Sequence, residues 1–313
     1  MADVGRAVAS GMPAATSVFF GGGTPSMVPA GSLMHVLDAI PLAAGAEVTV
    51  ECNPDTVTPE LLAAYRAHGV NRLSLGVQSM VPHVLTALGR THDPANVDRA
   101  VALARDAGFA TFNLDLIYGA AGETVDDWRR TLDATMALDP PHVSAYALTV
   151  EAGTPLADDP ARHPDDDTQA EEYEVADDVL IAGGLANYEI SNWARPGHEC
   201  RHNLLYWRQG DYLGFGCAAH SHQAGHRWWN VRTPERYIAL VQAGQPATAA
   251  DETLDAETRR LEGLQLALRT RDGVPVSSLD PDALESLVEQ RGDQIVLTRA
   301  GRLVANDIST RLR

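Results

Sequence analysis

Cysteine is scarce in this chain, which has only Cys52, Cys200 and Cys217 among its 313 residues. Such an odd and widely spaced set is not the framework of a disulfide-stabilised secreted domain, and it is typical of a reducing compartment. No apolar run is long enough to span a bilayer, and residues 1–15 lack the basic start and apolar core of a signal peptide. These absences predict a cytoplasmic protein without a transmembrane segment.

Basic residues are also few, because 24 Lys and Arg face 42 Asp and Glu, for a formal net charge of −18. A nucleic-acid-binding surface needs a patch or stripe of positive charge. The composition therefore argues against a nucleic-acid partner. The hydrophobic share of 45% is ordinary for a globular protein, and the length suits one large domain with a smaller one.

The first half of the chain alternates short apolar runs with helical segments. The predicted strands are residues 17–20, 47–51, 72–77, 111–117 and 142–148, and the predicted helices are residues 31–40, 59–68, 82–88, 94–107 and 124–137. Strands that alternate with helices at this spacing form parallel βαβ units. The pattern therefore predicts an α/β fold built on a parallel sheet.

The second half changes character after an exposed, Asp- and Pro-rich stretch at residues 158–167. Predicted helices at residues 169–182 and 233–243 flank a strand at 187–193, and a tail of helices at 256–270, 280–290 and 300–312 encloses a strand at 294–298. Such a tail suggests a small winged-helix-like module. We therefore expect three parts: a barrel at residues 1–157, its extension at 158–250 and the C-terminal module at 251–313.

Polar residues fall at the carboxyl ends of the predicted strands, where β/α barrels build their ligand sites. A glycine loop, residues 21–24, follows the first strand, Glu51 ends the second, Gln78 follows the third and Asp115 lies in the fourth. Each alone is also explained as a turn or helix cap, but their shared position favours one ligand site. The loop is neither a Walker A motif nor a dinucleotide fingerprint, because the required spacings are absent.

Three charged side chains suit a ligand that carries both signs of charge. Glu51 is suited to a ligand ammonium group, and Asp115, in an apolar strand, requires a partner because burying an unpaired carboxylate is unfavourable. Arg90 is either the ion-pair partner of Asp115 or a clamp for a ligand carboxylate. The residues alone leave these two roles open.

The segment from residue 200 to 230 is dense in His, Cys and aromatic residues. Its spacing, Cys200-x-His202 and then Cys217 followed by His220, His222 and His226, matches no closed zinc pattern, so polar loop residues are favoured over a zinc site. The run at residues 202–207, HNLLYW, suits either a flat cofactor pocket with His202 as ligand or an aromatic domain junction.

Four motifs in order resemble radical S-adenosylmethionine proteins, and the resemblance covers nearly the whole chain. They are residues 18–26 (VFFGGGTPS), 50–54 (VECNP), 73–79 (LSLGVQS) and 113–119 (NLDLIYG). The branch they resemble is that of the oxygen-independent coproporphyrinogen III oxidases. Residues 188–194 (YEISNWA) and 202–207 are similar to the haem chaperone members of that branch.

The resemblance implies a partial β/α barrel that binds S-adenosylmethionine at its strand ends. The implied contacts with this cofactor are Gly22, Gly23 and Thr24 around its amino group, Arg90 at its carboxylate, and Glu51, Gln78 and Asp115 as further polar contacts. The implied haem contacts are His202, Asn203, Tyr206 and Trp207. No residue is assigned a catalytic role.

One departure from the family concerns the Cys-x-x-x-Cys-x-x-Cys motif, whose thiolates hold a 4Fe–4S cluster that contacts S-adenosylmethionine through its fourth iron. The motif is absent, and the three cysteines present do not match it. We therefore expect a barrel without its first strand, with residues 17–20 as an exposed edge. Either the chain is truncated at its N-terminus or this member has lost the cluster, and the retained contact residues favour truncation.

The function that the resemblance favours is that of a haem chaperone, which binds haem and passes it to an acceptor protein. The sequence does not identify this acceptor. The alternative is an oxygen-independent coproporphyrinogen III oxidase, a radical oxidative decarboxylase of porphyrin biosynthesis. Because that reaction needs the cluster, we expect this chain to be inactive in it. A third possibility is a cluster-less protein that binds S-adenosylmethionine.

Overall fold

The computed structural model describes residues 1–313, with thirteen strands and twelve α-helices. The strands are β1 (Ala15–Phe20), β2 (Leu42–Cys52), β3 (Arg72–Gln78), β4 (Thr111–Tyr118), β5 (His142–Ala147), β6 (Ala186–Glu189), β7 (Asn192–Ala194), β8 (His220–Gln223), β9 (His226–Asn230), β10 (Thr248–Thr253), β11 (Val274–Pro275), β12 (Val288–Arg291) and β13 (Gln294–Leu297). The helices are α1 (Ala2–Ala9), α2 (Ala30–Asp38), α3 (Pro59–Ala67), α4 (Pro82–Ala87), α5 (Ala95–Asp106), α6 (Val125–Ala137), α7 (Asp166–Ala182), α8 (Arg201–Trp207), α9 (Pro234–Gln242), α10 (Ala256–Leu268), α11 (Arg299–Leu303) and α12 (Ala305–Ser309).

Seven strands form one sheet in the order β1-β2-β3-β4-β5-β7-β6. Strands β2 to β5 are parallel neighbours, whereas β7 runs antiparallel to both β5 and β6. The predicted α/β fold with a parallel sheet is therefore confirmed. Strand β1 lies at the edge of the sheet, as expected for residues 17–20.

The chain divides into two compact units. One contains Ser17–Met34 and Gly45–Glu199, and the other contains Met1–Thr16, His35–Ala44 and Cys200–Arg313. The second unit carries two three-stranded antiparallel sheets, ordered β10-β9-β8 and β11-β13-β12. No helix in either unit has the length and apolar character needed to cross a membrane.

The parallel strands form the core of their unit, because their apolar runs are buried. Fully buried side chains on these strands include Val50, Leu73, Leu75, Leu114 and Leu116. Helix α6 begins with a capping box, in which Thr124 Oγ1 accepts from the Asp127 amide and the Asp127 carboxylate accepts from the Thr124 amide. Such local signals explain why the predicted helices of this half lie close to the observed ones.

Two predictions in the second half were wrong. The predicted strand at residues 187–193 is the β6–β7 hairpin, whose turn breaks the run. The predicted helix at 280–290 is a short 3₁₀ turn at Asp282–Leu284 followed by β12, because β12 pairs with β13 across a tight turn at Gly292 (φ +65°). Tertiary pairing outweighs helix propensity here.

The segment at residues 200–230, whose His and Cys residues were interpreted as polar loop residues, also contains regular structure. Strands β8 and β9 form an antiparallel hairpin over His220–Gln223 and His226–Asn230, and helix α8 precedes them. At the C-terminus, the helix predicted for residues 300–312 is two short helices that meet at Val304. The winged-helix-like character of this module stays a prediction.

Two neighbouring carboxylates, the buried Glu172 of α7 and the half-buried Glu123 of the loop before α6, form an acidic pair. Glu172 has no exposed surface, and neither of its carboxylate oxygens has a hydrogen-bond partner. Burial, together with the neighbouring negative charge of Glu123, raises the pKa of Glu172 to about 8. Burial also raises the pKa of Glu123, although its Oε2 accepts from the Ala120 amide at 3.1 Å.

From this pair we predict that the free energy of unfolding falls as the pH rises from about 5 to about 8. In that range the folded state keeps a proton on Glu172 that the unfolded state releases, because its pKa is raised from 4.5 to about 8 on folding. The free energy of unfolding should fall by up to about 1.4 kcal/mol per pH unit for one proton. Glu172→Gln should flatten this dependence in urea unfolding measured across the range.

Glu174→Gln is the matched control, because Glu174 is exposed on the same helix. It should keep the pH dependence of the wild type. Parallel stability curves for the wild type and Glu172→Gln would contradict the assignment of the retained proton to Glu172.

Candidate functional site

The glycine loop after β1 exposes its backbone to a ligand. Gly22 and Gly23 have φ values of +82° and +57°, which L side chains rarely adopt, and no atom lies within 4 Å of where their Cβ atoms would stand. The Gly22 amide donates to Glu51 Oε2 at 3.1 Å. The loop therefore meets the end of β2 and leaves open space over its glycines. Thr24 ends the loop as the residue before a short 3₁₀ turn.

Two carboxylates of the predicted site, Glu51 on β2 and Asp115 on β4, lack a neutralising partner. Burial is the main cause that raises the pKa of each, and the negative charge of Asp115 further raises the pKa of Glu51. Neither carboxylate forms an ion pair, although the Arg72 charge lowers the pKa of Asp115 to a smaller extent. This edge of the sheet therefore favours a ligand that brings positive charge.

Hydrogen bonds from the neighbouring strand β3 and from β4 itself hold the Asp115 carboxylate in place. Ser74 Oγ donates to Asp115 Oδ2 at 2.6 Å, and Asn113 Nδ2 lies 2.7 Å from Asp115 Oδ1. The Asn113 side-chain oxygen lies 2.7 Å from His142 Nδ1. The parallel register aligns Ser74 with Asn113 and Asn113 with His142, so one row of polar side chains crosses three strands.

Sequence reasoning missed Ser74, Asn113 and His142. The available signal was that Asn113 and Asp115 share a strand face, because residues two apart point to the same side. Ser74 and His142 had no such signal, since only the pairing of β3, β4 and β5 brings them to Asn113.

The Gln78 side chain lies next to Gly76, the residue that pairs with Asp115. Gln78 ends β3 with a φ of +65°, and the pairing of β3 with β4 shifts register between Gly76 and Gln78. A Cβ atom on Gly76 would lie 3.0 Å from Gln78 Nε2, so the amide folds back over Gly76, and Gly76 pairs with Asp115. The structure therefore brings together Gly22, Glu51, Asp115 and Gln78.

The Arg90 side chain has no hydrogen bond or ion pair to the other predicted site residues. It lies exposed in the loop between α4 and α5 and forms no ion pair with Asp115. The alternative in which Arg90 is the ion-pair partner of Asp115 is therefore wrong. Its unpaired guanidinium remains suited to a ligand carboxylate.

The predicted haem contacts lie on helix α8, which has no buried residue. His202 Nε2 lies 2.9 Å from the Tyr206 hydroxyl, and the two rings meet edge to face with centroids 4.8 Å apart. Residues four apart share a helix face, which explains this pairing. Tyr206 also meets Tyr212 edge to face at 4.6 Å, whereas Asn203 and Trp207 are half-buried on the same helix.

The three thiols of this chain do not fit a 4Fe–4S cluster. Cys52 is buried in β2, where burial raises the pKa of its thiol to about 12, and thiolates are the form that binds iron. Cys200 and Cys217 belong to the other compact unit. No group of three His, Cys, Asp or Glu side chains is placed to hold a metal ion.

The close packing at Gly21 gives a prediction about the loop. A Cβ atom there would lie 2.9 Å from the Phe19 ring and 3.1 Å from Glu51 Oε1. Gly21→Ala should therefore displace one of these side chains and destabilise the protein by roughly 1–3 kcal/mol, measured by urea unfolding. Gly31→Ala is the control, because Gly31 lies in α2 with no atom within 4 Å of its Cβ position. It should stabilise by about 0.5–1 kcal/mol, and equal effects at the two glycines would contradict the packing argument.

Comparison with known proteins identifies the superfamily and similar proteins. Residues 4–135 match the Radical SAM superfamily. The chain is 42% identical over 312 residues to "Heme chaperone HemW" of Mycobacterium tuberculosis, covering 95% of this chain and 80% of that protein. It is 43% identical over 311 residues to the protein of the same name from Escherichia coli, covering 93% and 82% of the two chains.

A solved structure shares the fold. The coproporphyrinogen III oxidase HemN of Escherichia coli, described as a radical SAM enzyme, superposes with a TM-score of 0.84 over 99% of this chain and 82% of that chain. Its sequence identity of 22% limits this likeness to the fold. The predicted partial radical-SAM-type barrel is thereby confirmed, because the same parallel half-barrel sheet occurs in both.

Proposed function

Because this chain belongs to the HemW family of haem chaperones within the radical S-adenosylmethionine superfamily, we propose that it binds haem and passes it to an acceptor protein. The observation that carries the proposal is the extent of the similarity, which spans 93–95% of this chain in relatives that bear the name heme chaperone.

Helix α8 has the chemistry to hold haem as cargo. An imidazole is a common axial ligand of haem iron, and flat aromatic rings pack against a porphyrin face. His202, Tyr206 and Trp207 supply these groups on a helix without buried residues, where a ligand is accessible. Iron binding at His202 Nε2 would replace its hydrogen bond to the Tyr206 hydroxyl.

Haem titration of the purified protein tests this proposal. The wild type should shift the Soret band with saturation, and His202→Ala should weaken haem binding by about tenfold or more, because the iron loses its axial ligand. His226→Ala is the matched control, since His226 also stacks on an aromatic ring (Trp228, 5.2 Å) and bonds to a side chain (Asp251, 3.0 Å). Equal losses in the two variants would contradict a specific role for His202.

We also propose that the carboxyl edge of the sheet binds S-adenosylmethionine. This cofactor carries an ammonium group, a sulfonium centre and a carboxylate, so it offers two positive charges and one negative charge. Glu51 and Asp115, without ion pairs, suit the positive groups, and the unpaired Arg90 suits the carboxylate. The open glycines Gly22 and Gly23 allow close approach of the amino group, with Thr24 and Gln78 as further polar contacts. The proposal concerns binding of the cofactor alone, because the three cysteines of this chain do not fit a 4Fe–4S cluster.

Calorimetric titration with S-adenosylmethionine at several pH values tests this site. Affinity should fall as the pH is lowered through the raised pKa of Glu51, because the protonated carboxyl no longer attracts the cofactor's positive charge. Glu51→Gln should weaken binding by roughly tenfold near pH 8 and reduce the pH dependence. Glu60→Gln, at an exposed position on α3, should leave both unchanged. Wild-type affinity in Glu51→Gln would reject the site.

A further inference from the structure

The backbone at Gln78 forms a strained three-residue turn. The Ser79 amide donates to the Val77 carbonyl at 2.8 Å, which closes a γ-turn with Gln78 at its centre. Gln78 has a φ of +65°, and a γ-turn of this sign is rare and strained in a residue other than glycine. Strain of this kind persists only where surrounding contacts hold it, so the contacts around the turn determine where the Gln78 side chain lies.

His92 supplies one of those contacts from a distant part of the chain. Its ring is 5% exposed, and its Nε2 lies 2.8 Å from the same Val77 carbonyl oxygen, fifteen residues away. A carbonyl only accepts, so Nε2 carries the hydrogen and donates it. The Val77 carbonyl therefore accepts two hydrogen bonds, one that closes the turn and one that ties it to His92.

The residues before and after His92 belong to the loop that carries Arg90. The Arg90 amide donates to the Leu85 carbonyl at the end of α4, and Asp93 Oδ1 accepts from the Ala95 amide at the start of α5. Between these two helix ends, His92 is the point at which the loop is bonded to β3. The single side chain thus restrains the Gln78 turn and the Arg90 loop together.

A second anchor holds the other side of the turn without reaching the loop. Ser79 Oγ lies 3.1 Å from Thr131 Oγ1 on α6, and it accepts from the Val81 amide at 3.1 Å. These bonds fix the backbone after Gln78 to the helix layer. They do not reach the loop that carries Arg90, so the bond between β3 and that loop is the one that His92 makes.

We propose that His92 is a positioning residue of the S-adenosylmethionine site, which holds Gln78 and Arg90 at a common separation. The inference rests on the cofactor binding proposed above and adds a residue that does not itself touch the ligand, because its ring is buried and its Nε2 is bonded to Val77. Without the His92 bond, the loop that carries Arg90 would lose its hydrogen bond to β3, and the γ-turn would lose one of the two bonds to the Val77 carbonyl. Both changes weaken cofactor binding by loss of preorganisation.

Calorimetric titration of S-adenosylmethionine into His92 variants tests the proposal. His92→Leu keeps apolar volume but removes the donor, and it should weaken binding roughly three- to tenfold. His92→Gln places an amide N–H at a similar reach, and it should retain binding within about threefold of the wild type. If His92→Leu does not fold, His92→Asn takes its place, because its shorter amide does not reach the Val77 carbonyl.

Two further variants separate positioning from general stability. In an Arg90→Ala background, His92→Leu should weaken binding less than in the wild type, since part of its effect acts through Arg90. Asn71→Ala removes a comparable side-chain tie at the start of β3, where Asn71 bonds to the Val48 amide (2.9 Å) and the Ala46 carbonyl (2.8 Å). It should lower the Tm without lowering cofactor affinity.

The outcomes distinguish this inference from the proposed function. If the wild type binds S-adenosylmethionine and His92→Leu binds equally well, or Asn71→Ala loses as much affinity as His92→Leu, His92 has no positioning role. Fully additive effects of His92→Leu and Arg90→Ala would also reject the link to Arg90. If the wild type itself does not bind the cofactor, the proposed cofactor site is wrong and the role of His92 falls with it.

Discussion

The parallel register of strands β2 to β5 is the constraint on which the candidate site depends. It aligns Ser74, Asn113 and His142 across three strands and places Asp115 opposite Ser144, so one row of side chains is bonded together beneath the carboxyl edge. A shift of one residue in any of these strands would turn its polar side chains to the other face and break the row. The site is therefore as rigid as the core pairing that supports it.

Charge is distributed unevenly over this framework. Burial raises the pKa of Glu51 and Asp115 at the proposed cofactor site, and likewise the pKa of Glu172 and Glu189 elsewhere in the same unit. The Ser191 amide and the Asn192 side chain bond to the Glu189 carboxylate, just as Ser74 and Asn113 bond to Asp115. Among these groups, Glu51 combines lack of a countercharge with open space over the adjoining Gly22 and Gly23, and the Asp115 charge adds to the negative potential around it. This combination distinguishes a place for a cationic ligand from a buried acid that only lowers stability.

Local signals along the chain predicted the helices and strands of the first half well. Thr58 and Thr124 cap α3 and α6 through their side chains, and the predicted helix at residues 94–107 differs little from α5 (Ala95–Asp106). The second half was predicted less well because its short strands exist only as partners of one another. Strand β12 is held by β13, and β9 is held on both sides by β8 and β10. No periodicity within four or five residues reveals such pairing.

The amino-acid sequence by itself determined the α/β class, the family, and the positions of the glycine loop, Glu51, Gln78 and Asp115 at strand ends, because strand and helix periodicity and ordered motifs are local properties. The tertiary structure alone decided that Ser74 bonds to Asp115 and His142 to Asn113, that Gln78 lies in a strained turn, and that His92 bonds to that turn. It also decided that Arg90 does not pair with Asp115. These relations join residues 15 or more positions apart or depend on one backbone angle, so they arise only when the strands pair and the loops close over them.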